Sequence, residues 1–157
     1  MRCPPSKRRD EIAAVIAHAE ASQALLATQR SGLGASATPT VIAGDFNQPN
    51  TWDYPPEEWA AIEADMARAG LPASDGVMQV MRDGGYLPSF EAATIRNAIP
   101  ATTAWNGAVV DYCYVNDPAR PAGVGMGAGK SLAVEASYAY YTLASDHLPL
   151  VTDFKLV

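Results

Sequence analysis

Apolar residues recur along the chain at two spacings, one typical of helices and the other of strands. Between about residues 6 and 30 they fall three or four positions apart, which predicts a long amphipathic helix with a stripe of Ile12, Val15, Ile16, Ala19 and Leu26. A second helix is predicted from about residue 52 to 69, ending at Gly70, and a short third one from Val77 to Arg82.

Four further stretches have the pattern of strands. Residues 40–44 form a continuous apolar run between loop residues, which predicts a short strand covered on both faces, and residues 108–116 predict a second buried strand. Residues 131–141 and 150–156 alternate, and the first of these places four side chains on one side: Leu132, Val134, Ala136 and Tyr138. The pattern over 86–107 is weak and predicts mostly loop, with a helical turn at 90–94.

Polar residues stand at the ends of these strands or interrupt them. Asp45 and Asn47 follow the first strand at i and i+2, so they point to the same side if the extended conformation continues. Asp111 interrupts the second buried strand, and Asp146 and His147 precede the last strand. A buried acid costs several kcal/mol unless it is paired. The pattern therefore predicts one polar site at the rim of a sheet, where a metal ion could hold the acids together.

Composition narrows the class of protein. The chain has 157 residues, of which 48% are hydrophobic and 18% charged, which suits one folded domain over residues 1–157 of mixed α/β or α+β class. The net charge of −6 disfavours nucleic acid as a partner, and the apolar runs are too short to span a membrane. No signal peptide is evident and the cellular location stays open. Cys3 and Cys113 lack metal-site spacing, so free thiols are expected, with Cys113 buried.

A glycine-rich segment, residues 123–131, is similar to a phosphate-binding loop but departs from its pattern. The motif G-x-x-x-x-G-K-[ST] requires glycine at position 124, where Val124 stands. The residues after Ser131 alternate like a strand, whereas the motif opens a helix. A hairpin loop is therefore favoured over a nucleotide-binding site, and Lys130 has no required role.

Three short motifs together carry a family resemblance. They are Gly44-Asp45-Phe46-Asn47, then Trp105 followed by Val110-Asp111-Tyr112, and Ser145-Asp146-His147-Leu148-Pro149. In this order and spacing the chain resembles the endonuclease/exonuclease/phosphatase superfamily, which has the DNase I-like fold. The resemblance implies a four-layer α/β/β/α sandwich and hydrolysis of a phosphodiester or phosphomonoester with Mg²⁺ or Mn²⁺.

The resemblance also implies a role for each polar residue. His147 would contact the scissile phosphate and stabilise its developing charge, and Asn47 would donate a hydrogen bond to a phosphate oxygen. Asp45 would prepare the attacking water and help hold the metal, while Asp146 would orient an imidazole or hold the metal. Asp111 would tune the protonation of Asp45 or assist the leaving group. These roles suit an anionic ester, which resists attack until its charge is taken up.

The resemblance covers nearly all of this chain but only the C-terminal half of the family's fold. The family's first half supplies an Asn, the main metal-binding Glu and a second His, and none of them has a counterpart here. We therefore expect a further half-domain or a partner chain. At ~25 cal/mol per Å², an uncovered sheet face of several hundred Å² forfeits on the order of 10 kcal/mol. The alternative function is a non-catalytic binding module or a decayed enzyme of the same fold; the substrate stays open among DNA, RNA, lipid and sugar phosphates.

Overall fold

Four α-helices and five strands make up the part of the chain that the computed structural model describes, which is residues 5–29, 39–93, 102–104, 107–116 and 132–157. The helices are α1 (Pro5–Gln29), α2 (Pro56–Arg68), α3 (Val77–Asp83) and α4 (Ser89–Ala92), with a 3₁₀ turn at Thr51–Asp53 before α2. The strands are β1 (Val41–Asp45), β2 (Tyr86–Pro88), β3 (Asp111–Asn116), β4 (Leu132–Ala139) and β5 (Leu150–Leu156). The architecture is mixed α+β, as predicted.

The strands form two antiparallel groups. The first is a three-stranded sheet in the order β1-β3-β2, and the second is a ribbon of β4 and β5. The register of β1 against β3 pairs Val41 with Val115, Ala43 with Cys113 and Asp45 with Asp111. Directly paired residues of antiparallel strands point to the same side. The register therefore gives the sheet two faces of different composition.

The closed face of the sheet carries Ile42, Tyr86, Tyr112 and Tyr114. It packs against Ile12 and Ile16 of α1 and against three side chains of α3: Val77, Met78 and Met81. Met81 is fully buried, and Tyr112 and Tyr114 are each 1% exposed. Burial of such a side chain stabilises the fold by about 1.5–3 kcal/mol. The predicted stripe of α1 thus faces the core at Ile12 and Ile16, whereas Val15 is 42% exposed and lies outside it.

The open face carries Val41, Ala43, Asp45, Asp111, Cys113 and Val115. The ribbon meets it at β3, where Val115 packs with Val134. The ribbon also contacts α4, where the hydroxyl group of Ser89 lies 2.7 Å from that of Ser137. It does not cover β1, and Val41 is 41% exposed. The prediction that this strand is covered on both faces is therefore wrong, because β1 is an edge strand that the ribbon leaves uncovered.

Local irregularities overturn three further predictions. The ladder between β4 and β5 shifts between Val134 and Ala136, so Ser137 is buried while Ala136 and Tyr138 stay partly exposed. An extra residue in a strand reverses the alternation beyond it. The segment predicted as mostly loop contains β2 in addition to the predicted helical turn, which is α4, and β3 begins at Asp111 instead of residue 108. Asp111 therefore opens its strand at the rim of the sheet.

The helix ends follow the sequence signals. Gly70, at φ 69°, ends α2 in the left-handed conformation that glycine adopts without strain, and α3 begins at Val77 as predicted. Within the described ranges no helix is long and apolar enough to cross a membrane. Cys3, Trp105 and residues 123–131 lie outside those ranges.

Candidate functional site

Two acids face each other at one end of the first sheet. Asp45 is the last residue of β1 and pairs with Asp111, the first residue of β3. Two like charges directly opposite each other on neighbouring strands destabilise a sheet. Asp45 is exposed, but the Asp111 side chain is only 15% exposed, so water screens the repulsion between the two charges incompletely. Neighbouring donors, or a cation, are needed to offset the repulsion.

Asn47 supplies donors to the first acid. Its backbone N–H donates to Asp45 Oδ1 at 2.7 Å, and its side-chain Nδ2 donates to Asp45 Oδ2 at 2.9 Å. This requires a turn at Asn47, which has φ 52°, in the left-handed region that asparagine tolerates better than most residues. The extended conformation therefore does not continue past Asp45, and the expectation that it carries both side chains to one side is replaced by this turn.

His147 supplies a donor to the second acid. Its Nδ1 lies 2.9 Å from Asp111 Oδ2, and because an ionised carboxylate only accepts, Nδ1 carries the proton. Nε2 then faces away from Asp111 as an acceptor, or as a second donor when the ring is charged. The hydrogen bond with Asp111, helped by the charges of Asp111, Asp45 and Asp146, raises the pKa of His147 above its ordinary value. The imidazolium is thus favoured beside the acids.

Thr103 holds the histidine segment against β3, a role that no pattern in the sequence indicates. Its hydroxyl accepts hydrogen bonds from the backbone N–H of Val110 at 2.9 Å and of Asp111 at 3.0 Å. Its carbonyl accepts from the N–H of Leu148 at 2.7 Å, and the neighbouring Ala104 bridges to His147. Thr103 is fully buried. Its position in a stretch without apolar periodicity explains why sequence patterns did not single it out.

Asp45, Asp111 and His147 form a group whose potential ligand atoms all lie within 4.8 Å of one another. Mg²⁺ takes oxygen ligands at 2.0–2.1 Å, so opposite ligands are about 4.2 Å apart. The 4.8 Å limit on the separations within the group is close to that distance. Two carboxylates beside room for water and substrate oxygens fit Mg²⁺ or Mn²⁺, while the His147 ring, with Nδ1 bonded to Asp111, lies beside them as a donor.

Asp146 stands apart from this group. It is exposed, its Oδ1 accepts a hydrogen bond from Ser145 Oγ at 3.3 Å, and it acts on His147 through its charge. Four of the five predicted site residues therefore come together directly, namely Asp45, Asn47, Asp111 and His147. The residue bonded to the His147 imidazole is Asp111. The resemblance gave Asp146 a different role, which was to hold the metal or to orient the second His that has no counterpart in this chain.

A solvent-open cleft of about 440 Å³ runs from the two acids along the open face. Asp45 and Asp111 line one end, and its walls are largely apolar, formed by Ala43, Cys113, Leu148, Pro149, Leu150 and Phe154. Burial raises the pKa of the Cys113 thiol, which disfavours a reactive thiolate. The cleft thus offers a charged end for polar chemistry and an apolar wall for contact with a larger ligand or another segment of protein.

Trp52 and Asp53, which follow the first motif, belong to a different cluster. The Arg82 guanidinium lies 4.2 Å from the centre of the Trp52 ring and pairs with Glu91. The Tyr112 hydroxyl donates to Asp53 Oδ2 at 2.6 Å, and burial raises the pKa of Asp53 to about 6. These contacts join α3 and α4 to the closed face, so this acid serves the core and is not part of the group of Asp45, Asp111 and His147.

No protein-family model, curated protein or solved structure matched the chain in the three comparisons. The family resemblance therefore rests on the three sequence motifs alone.

Proposed function

We propose that this chain is a metal-dependent phosphoesterase domain of the DNase I-like type, acting on a phosphodiester or a phosphomonoester. The observation that carries the proposal is the convergence of Asp45, Asp111 and His147, which come from three separate parts of the sequence. The core alone does not require two acids and an imidazole at one strand end. A site that handles an anionic ester does require donors, a cation and a base together.

The pairing of His147 with Asp111 supports a role in contacting phosphate. Because Asp111 holds Nδ1–H and raises the pKa of the ring, His147 presents Nε2 as a donor over a wider pH range. A charged donor aimed at a phosphoryl oxygen stabilises the charge that develops in the transition state. Asp111 is then the residue that orients the imidazole.

Asp45 and Asn47 suit the opposite side of the reaction. The two hydrogen bonds from Asn47 fix the orientation of the Asp45 carboxylate, which can accept a proton from an attacking water. One of the two Nδ2 hydrogens of Asn47 bonds to Asp45, and the other is available to a phosphate oxygen. This division of work is consistent with the roles that the resemblance implies.

Asp45 and Asp111 would hold the Mg²⁺ or Mn²⁺, which would withdraw charge from the phosphate and lower the pKa of a bound water. The resemblance implied Asp45 and Asp146 as the metal-binding carboxylates, and the 4.8 Å grouping favours Asp111 in place of Asp146. The four-layer sandwich, and the further half-domain or partner chain, belong to the same proposal. The uncovered side of β1 supports them, because such a face is where further strands would pack.

The test uses the purified full chain with bis(p-nitrophenyl) phosphate and p-nitrophenyl phosphate in the presence of Mg²⁺ or Mn²⁺. We expect turnover that EDTA abolishes, and losses of about 100-fold or more in kcat for Asp111→Asn and His147→Gln. Asp153→Asn, which changes an exposed acid on β5, is the matched control and should leave the rate unchanged.

A second candidate is a binding module without turnover, which the apolar wall of the cleft favours. The two are separated by measuring Mn²⁺ binding alongside turnover. Binding that Asp45→Asn abolishes, without hydrolysis of either ester by the folded chain, would leave the binding module as the better account. If the folded chain neither binds Mn²⁺ nor hydrolyses either ester, the proposed function is contradicted.

A further inference from the structure

Arg8 of α1 links the candidate site to the start of α3. Its Nη1 donates to the backbone carbonyl of Asn47 at 2.9 Å, and its Nε lies 2.8 Å from Asp75 Oδ2. The Arg8 side chain is 19% exposed and that of Asp75 is fully buried. A guanidinium held this deeply is committed to its partners, unlike the exposed Arg9 beside it.

Asp75 anchors this arrangement. Its Oδ1 accepts a hydrogen bond at 3.1 Å from the N–H of Val77, the first residue of α3, while Oδ2 faces Arg8. The Arg8–Asp75 contact is close but not aligned as a hydrogen bond, so the attraction between the charges carries it. A buried carboxylate needs such a partner. The guanidinium is thereby fixed relative to the core on one side and is free to hold Asn47 on the other.

Asn47 is the residue that needs holding. Its left-handed φ of 52° is sparsely populated for residues other than glycine, and it persists only where surrounding contacts enforce it. Within the described residues, Asn47's own bonds are the two to Asp45 and the one from Arg8, and its neighbours Phe46 and Gln48 are held by burial. Release of the carbonyl would let the turn relax and the Asp45 carboxylate lose its fixed orientation.

We propose that Arg8 is a positioning residue for the acidic site. It holds the Asn47 turn, and the turn orients Asp45 toward Asp111. The part of this inference that concerns metal affinity rests on the proposed function, whereas the part that concerns the Asn47 turn does not. A cavity of about 180 Å³ bounded by Arg8, Asp45 and Asn47 shows that the arginine lies beside the site itself.

The sign of the effect on cation binding separates positioning from simple charge. A guanidinium near a cation site repels the cation, so its removal should raise affinity if charge alone matters. A positioning role has the opposite consequence, because a mobile Asp45 is a poorer ligand. Loss of a residue that orients a metal ligand typically lowers affinity by about 10- to 100-fold.

The experiment compares Mn²⁺ affinity, by calorimetry on the full chain, among the wild type and three variants. Arg8→Gln combined with Asp75→Asn removes both charges of the pair, keeps the net charge and retains an acceptor for Val77. We expect its affinity to fall about tenfold. Arg8→Lys keeps the charge but lacks the planar guanidinium group, so its Mn²⁺ affinity should fall by a smaller factor. Arg9→Gln, the matched control, should bind Mn²⁺ with the affinity of the wild type or slightly more tightly. Unchanged or tighter binding by the Arg8 variants would overturn the inference.

A second readout needs no metal. Hydrogen exchange of the Asn47 amide, followed by NMR, reports its bond to Asp45 directly. We expect faster exchange at Asn47 in both Arg8 variants, while the amide of Asp53, bonded to the Asn50 carbonyl, stays unchanged. If the wild type binds no Mn²⁺ but Asn47 responds in this way, the proposed function fails and the positioning role stands. If the wild type binds Mn²⁺ and neither readout responds to Arg8, the positioning role fails alone.

Discussion

The two faces of the first sheet share a backbone, but one packs in the core and the other carries the candidate site. On the closed face, Tyr112 and Tyr114 are nearly completely buried against α1 and α3, and aromatic rings fill the space between the elements. On the open face, the alternate positions of the same strand are Asp111 and Cys113, which line a solvent-open cleft. Because side chains of a strand alternate, one six-residue strand can supply the core and the candidate site at once. Stability and chemistry are therefore separable by substitution.

The largest expected difference between the faces is in stability. Met81→Ala removes a fully buried side chain from the closed core and should lower the free energy of unfolding by about 2–5 kcal/mol. Val41→Thr, on the open face, keeps the shape of an exposed side chain and should change it by about 0.5 kcal/mol or less. Urea unfolding followed by circular dichroism measures both. A loss at Val41 as large as that at Met81 would mean that another surface covers β1 in solution.

The next effect is a pH dependence that belongs to the closed face. The pKa of Asp53 is about 6 in the folded chain, against its ordinary value of 3.8, because burial disfavours the charge. The folded state therefore binds more protons than the unfolded state between those values, and stability falls as pH rises from about 4 to 6. In Asp53→Asn, the free energy of unfolding should fall by about 1–3 kcal/mol less over this pH range than in the wild type. Asp10→Asn, at an exposed position on α1, is the control; parallel curves for the wild type and Asp53→Asn would contradict the assignment.

The smallest effect concerns the open face, and it compares how much Asp111 and Asp146 each raise the pKa of His147. The pKa of His147 is raised chiefly by its hydrogen bond with Asp111, and the charge of Asp146 contributes least. Asp111→Asn should therefore lower the pKa of His147 more than Asp146→Asn does, as NMR titration of the ring would record. A larger change with Asp146→Asn would contradict the hydrogen bond between Asp111 and His147 as the main cause.

The sign of the associated stability follows from the same shift. A histidine whose pKa is raised by folding stabilises the folded state below its ordinary value of 6.5, and this contribution is lost as pH rises through the folded-state pKa. The fall in stability from Asp53 lies below pH 6, so the two contributions occupy different ranges. Subtracting the curve of Asp53→Asn from that of the wild type separates them.

The residues of the candidate site are easier to recognise in the sequence than the residues that position them. Acids and a histidine at strand ends are visible as polar residues that break apolar runs, which is how Asp45, Asp111 and His147 were found. Thr103 acts through backbone contacts in an aperiodic stretch, and Arg8 lies on a helix where a basic residue suggests only solvent exposure. Each acts on a partner far along the chain, Arg8 on Asn47 and Thr103 on Leu148, so no local pattern indicates its role.

Local patterns in the sequence predict the helices α1, α2 and α3 and the strands β1, β3, β4 and β5, because apolar periodicity and helix-ending glycines are local properties. Three features are visible only in the folded chain: β1 lies at an edge, a bulge buries Ser137, and Asp111 rather than Asp146 bonds to His147. Strand order, register and the choice between two neighbouring acids depend on contacts between segments far apart in the chain. The free energies of those contacts are set by packing and hydrogen bonding in three dimensions, which a one-dimensional pattern does not contain.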